Sequence, residues 1–221
     1  MTQDAKKRQK SLQRKAAKRK QKLNQLSQLT PLSVRTILRQ SGDWPLREVL
    51  VSENWTDPKE LVQVLIARQS AANQIAVGLF LVDLACLGVK NGYARLVNSF
   101  SEYQKLRQEI LDRQLLISAD LNLAAKIIQT GLAYARQFGF EPHPDYYEAL
   151  WVLGQADPAA CLETIPVRGP EGKPFFIAGP YDNAEKIIAR LTKAVGPDGF
   201  NYMVAISPDT EFYLDEAEDL N

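Results

Sequence analysis

QIAVGLFLVDLACLGVKNG, residues 74–92, is the stretch on which the fold of this chain turns. Residues 75–82 are apolar or glycine without a break, the pattern of a β-strand covered on both faces and lying inside its sheet. Gly78, in the middle of that run, predicts a bulge or the close approach of another segment. The run ends at Asp83, resumes to Val89, and stops at Lys90-Asn91-Gly92, which reads as a turn. Upstream, residues 60–69 form a second strand pattern, and only residues 70–73 separate the two. A gap of that size joins antiparallel neighbours, so a hairpin over about 60–82 is expected at the centre of the sheet.

Working outward, residues 32–38 have an apolar helical period, and residues 44–52 read as a short strand after Pro45. From residue 93 to 154 the pattern is helical. Ser99 or Ser101 caps one helix, and Asp120 opens another with Leu121, Ala124, Ala125, Ile128, Leu132 and Ala135 on one stripe. Asp145 is placed to cap a third, ended by Gly154. After loop-rich residues 155–172 come a strand (173–178), a Gly179-Pro180 turn, a helix (183–195) and a last strand (200–206). Asp182 and Glu185 have the spacing of a capping box for that helix. Hairpin strands followed by a run of helices give an α+β fold, with a C-terminal strand–helix–strand unit that extends the sheet or forms a small lobe.

Charge divides the chain of 221 residues. Ten basic residues crowd the N-terminus: Lys6, Lys7, Arg8, Lys10, Arg14, Lys15, Lys18, Arg19, Lys20 and Lys22. Asp4 is the one acid beside them, so this segment is +9 and the rest of a +1 chain is −8. Like-charge repulsion and few apolar residues predict a disordered arm over residues 1–30, a single α+β domain over 31–210, and a frayed acidic tail over 211–221. Such an arm suits a polyanion, because counterion release requires charge density and no fixed geometry. RNA, the ribosome or another ribonucleoprotein is the expected partner, with all ten basic side chains on phosphates. The arm has no aromatic residue, so it supplies affinity rather than base reading. A protein partner is a further possibility, with the arm then serving only solubility.

No apolar stretch follows Lys22 as a secretory signal requires, and Asp83 interrupts the longest apolar run before it reaches membrane-spanning length. These features predict a cytoplasmic protein away from membranes. Cys86 and Cys161 are too few and too far apart for a disulfide framework, and with His143 the single histidine no zinc-ligand set is legible. No metal or cofactor is expected. One constellation nevertheless has catalytic chemistry. Asp83, Cys86 and Lys90 lie within eight positions, and the loop carrying His143 between two prolines could bring in an imidazole. A thiolate or carboxylate flanked by a lysine and a histidine is the equipment of a small hydrolase or transferase. Against it stands the plainer reading of a turn cap, a core cysteine and a loop histidine.

The blocks GLFLVDLACLGVKNGYAR (78–95), YARQFGFEPHPDY (134–146) and GKPFFIAGPYDNAEKII (172–188) resemble an uncharacterised bacterial protein family. The resemblance implies that the three blocks belong to one folded unit. It implies no activity, ligand or catalytic residue.

Overall fold

In the computed structural model, residues 33–204 are described. The basic arm and the acidic tail lie outside them, so their expected disorder and phosphate contacts are not addressed by the fold. The backbone divides into two compact units, Met1–Ile37 and Leu38–Asn221. Of the first, only residues 33–37 are described. They include the start of helix α1 (Val34–Gln40), where Ser33 Oγ accepts the Thr36 amide at 3.2 Å.

The second unit is built on a five-stranded antiparallel sheet in the order β4-β3-β2-β1-β5. Its strands are β1 (Leu46–Ser52), β2 (Leu61–Gln69), β3 (Ile75–Asp83), β4 (Gly88–Val97) and β5 (Leu116–Ser118). The expected hairpin is β2–β3, in unbroken register from Leu61↔Asp83 to Gln69↔Ile75. Both strands are interior. Period-2 alternation sends Val62, Val64 and Ile66 to one face and Leu65 and Ala67 to the other.

On the first face lie helix α3 (Leu121–Arg136), the short helix α4 (Tyr146–Ala149) and the 3₁₀ turn Leu150–Leu153. The Asp120 carboxylate caps α3 by accepting the Asn122 amide at 2.7 Å, and the stripe Ala124, Ala125, Ile128 and Leu132 enters the core as expected. Gly78 marks a close approach: a Cβ there would collide with Val152. The second face carries α2 (Phe100–Leu111), capped by Ser99 and anchored by Tyr103 and Ile110.

The helical middle begins later than the sequence pattern suggests. Residues 88–97 form β4, and β5 interrupts the helices before α3. Lys90-Asn91-Gly92 is therefore strand, and the turn between β3 and β4 is Leu84–Leu87, all four residues of which are buried. Asp145 makes no side-chain cap bond to α4.

The C-terminal unit packs on this turn. It consists of β6 (Phe175–Ile177), α5 (Ala184–Val195) and β7 (Asn201–Met203). The strands pair in parallel as a separate sheet across the α5 crossover, instead of extending the main one. Cys86, Leu87, Tyr134, Phe138, Phe176, Leu191 and Phe200 form its shared core with the turn. The cap of α5 is Asn183, whose Oδ1 accepts the Lys186 amide at 2.9 Å, and not Asp182.

Two β-bulges interrupt the main sheet. Leu46 pairs with Arg68 and Glu48 with Ala67, leaving Arg47 as the extra residue of β1. Leu81 pairs with Asn91 and Val82 with Val89, leaving Lys90 as the extra residue of β4. An extra residue breaks the strict alternation of side chains and re-aims its own.

Candidate functional site

The end of β3 opens into a cleft of about 720 Å³ bounded by Leu61, Leu81, Leu115, Phe175, Asp83 and Lys90. Asp83 enters it because β3 stops there and the chain must turn. Its Oδ1 accepts the amides of Ala85 and Cys86, both at 2.9 Å, which fixes the turn. Lys90 enters because of the β4 bulge. Its Nζ lies 2.6 Å from Asp182 Oδ2, which also accepts the Gly179 amide at 2.8 Å. Asp182, read from the sequence as a helix cap, thus ties the β6–α5 loop to β4 across 92 residues of chain.

Electrostatics separate the four candidate residues. Asp83 is only 5% exposed, and burial pushes its carboxyl up to about 6, against the lowering effects of the Cys86 amide and the Lys90 charge. Burial also pushes the Cys86 thiol up, and the Asp83 charge adds to the effect, so the sulfur stays protonated at neutral pH. The Cys86 side chain belongs to the core shared with the C-terminal unit. His143 is exposed: its backbone amide donates to Val89 O at 3.1 Å, while Nδ1 accepts the Asp145 amide at 3.3 Å. Asp83 and Lys90 line the cleft, and neither Cys86 nor His143 is among its lining residues. The ten basic residues of the arm lie outside the described residues. Among the described residues, no group of three or more His, Cys, Asp or Glu is placed to hold a metal ion.

The raised carboxyl makes a pH prediction. An aspartate in an unfolded chain titrates near 3.9, well below the folded value of about 6. The folded state therefore binds this proton more tightly, so stability is greatest below the unfolded pKa and falls as pH rises to 6. Asp83→Asn keeps an oxygen for the two amides and removes the buried charge. Urea unfolding should show a gain of about 2 kcal/mol at about pH 8 and little change at about pH 4. An equal gain at both pH values would mean that charge burial is not the cause.

Segments 134–146 and 172–188 each bond to segment 78–95: Lys90 pairs with Asp182, the Phe175 amide donates to Ala85 O, and the His143 amide donates to Val89 O. Compared with known proteins, the chain matches no protein-family model, no curated protein and no solved structure. A second concentration of charged and aromatic side chains, around Arg47, Phe100 and Arg107, was not legible in the sequence. Its one signal is the pair Arg47-Glu48 near the head of a strand that then runs apolar from Val49 to Val51, where alternation allows only one of the two on a given face.

Proposed function

We propose that the chain is a cytoplasmic, non-enzymatic protein that associates with RNA or a ribonucleoprotein through its basic N-terminal arm. The observation that carries this reading is charge segregation. Residues 1–32 hold ten basic residues and one acid, whereas residues 33–204 hold 17 basic and 19 acidic residues. The final 17 residues hold six acids and no base, so most of the negative charge belongs to the C-terminal stretch and the folded body is nearly neutral. A neutral body does not repel the polyanion that the arm attracts. Among the described residues, no helix is long and apolar enough to cross a membrane.

The test is titration of the full chain, and of a full-length variant with all ten basic residues replaced by glutamine, against total cellular RNA over a salt series. The parent should bind with a steep inverse salt dependence, and the variant at least tenfold more weakly with a shallower slope. Equal binding by the two proteins would remove the arm from the interaction.

A second reading, a small hydrolase or transferase, is favoured by one feature, the Asp83 carboxyl held in a cleft beside Lys90. Cys86, buried in the core, and His143, exposed outside the cleft, do not join them there, so Asp83 and Lys90 would have to carry the chemistry. Turnover of a model ester or phosphate, lost in Asp83→Asn while the fold is kept, would support this reading over the first.

A further inference from the structure

Between β1 and α2 runs a groove of about 590 Å³, separate from the Asp83 cleft, on whose walls stand Arg47, Glu48, Gln69, Phe100, Gln104 and Arg107. The β1 bulge creates it. In a regular strand Arg47 and Glu48 would face opposite sides, yet both reach α2. The Arg47 guanidinium lies 4.2 Å from the Phe100 ring centroid, and Glu48 accepts the Tyr103 hydroxyl and Arg107 Nε, the latter at 2.9 and 3.0 Å. Gln69 Oε1 accepts a further hydrogen bond from Arg47.

Each part has a chemical meaning. A guanidinium stacked on an aromatic ring is a planar cationic platform, and its second face suits an unpaired base. Phe100 is 44% exposed, so the platform is open to solvent. Glu48 engages Arg107 through Nε, the inner nitrogen, which orients the guanidinium and leaves its outer nitrogens as the natural phosphate donors. Burial pushes the Glu48 carboxyl up, but the hydrogen bonds from Arg107 and Tyr103 outweigh it and hold the group below the usual carboxylate range. The carboxylate therefore stays charged and keeps Arg107 in place. With two guanidiniums against one carboxylate, the groove is net positive. Gln69 is held by Arg47 and Asn73 and Gln108 by Asp112, so Gln104 is the wall amide placed to meet a base edge.

We propose that this groove binds one nucleotide, its base stacked on the Arg47–Phe100 platform and its phosphate on Arg47 and Arg107. The proposal rests on the RNA reading: the nucleotide is an unpaired residue of the bound RNA, and the body supplies the base contact that an arm without aromatics lacks.

The experiment uses the full chain and three probes: a single-stranded RNA oligomer, a blunt RNA duplex of equal length, and a nucleoside monophosphate. Arg47→Gln and Phe100→Leu are compared with the glutamine-substituted arm variant, and thermal melting verifies that each is folded. Each groove substitution should weaken single-strand binding about tenfold, the range of one base–aromatic stack, and leave the duplex unchanged. The arm variant should weaken both. Unchanged single-strand binding in both groove variants would overturn the groove proposal while the RNA reading stands. If the parent binds neither RNA but binds the monophosphate, and Arg47→Gln abolishes that, the RNA reading fails and the groove is a site for a free nucleotide. Binding of none of the three probes overturns both.

Discussion

Arg68→Met is expected to destabilise the folded chain by about 3 kcal/mol, the range for leaving several buried carbonyls without a donor. Arg68 stands on β2 and is only 7% exposed. Its guanidinium donates to three backbone carbonyls, Val152 O through Nε at 2.5 Å, Trp44 O at 2.8 Å and Leu153 O at 3.0 Å. These carbonyls come from Trp44, two residues before β1, and from the 3₁₀ turn that closes one face of the sheet, so a single side chain clasps both segments. Burial holds its pKa below the usual arginine value, with the Asp43 charge opposing, and the group remains a cation at any ordinary pH. Methionine matches the stem and supplies no donor, leaving buried acceptors without partners at about 1–3 kcal/mol each before water relieves some of them. Arg68→Lys should recover only part of the loss, because one ammonium cannot reproduce the planar fork. Urea unfolding of the three proteins measures this, and a loss below about 1 kcal/mol for methionine would show that water replaces the guanidinium freely.

Gly92→Ala should be as damaging, by about 3 kcal/mol, through backbone collision rather than lost hydrogen bonds. A Cβ on Gly92 would lie 2.6 Å from both Cα and N of Tyr146 and 2.9 Å from the Asp145 carbonyl carbon. All three are main-chain atoms and none can rotate aside. Relief requires β4 and α4 to part, which disturbs the edge-to-face contact of Tyr146 with Phe80, the cross-strand partner of Gly92. The His143–Val89 backbone bond, just upstream, would stretch as well. Asn91→Ala, at an exposed neighbour, is the control and should change stability by less than about 0.5 kcal/mol apart from its own bond to the Gly92 amide. Equal unfolding midpoints for the two variants would show that the strand and helix have room to spare.

The parts of the fold that rest on local pattern were legible in the sequence. The β2–β3 hairpin follows from two apolar runs and a short gap, and α3 from its stripe and the Asp120 cap. What escaped reading depends on segments far apart in the chain. Leu84–Leu87 is a turn made of apolar residues, and turn signals are polar. It can be apolar because the C-terminal unit buries it and residues 168 and 175 donate to its carbonyls. Lys90-Asn91-Gly92, which has turn composition, is strand because Gly92 must pass under α4 and Lys90 must reach Asp182. Asp182 and Asn183 are adjacent and equally able to cap α5, and a lysine 92 residues upstream decides between them.

The candidate site divides the same way. Asp83 and Lys90 were found together because both flank one turn. That Cys86 turns into the core and His143 outward depends on packing no spacing rule contains. The β1 bulge left a single trace, two charged residues in succession, and its partners Phe100 and Arg107 lie more than 50 residues on.

The two outer strands of the main sheet have a bearing on how the chain behaves when crowded. A long flat border with free amides and carbonyls is a template onto which another chain can add a strand. Here one border is β5, three residues long, and the other is β4, kinked by its bulge, charged at Lys90 and Arg95, and with its Val89 carbonyl already taken. Neither offers the continuous ladder that fibrils extend. The bulge that aims Lys90 into the cleft also protects the sheet against aggregation.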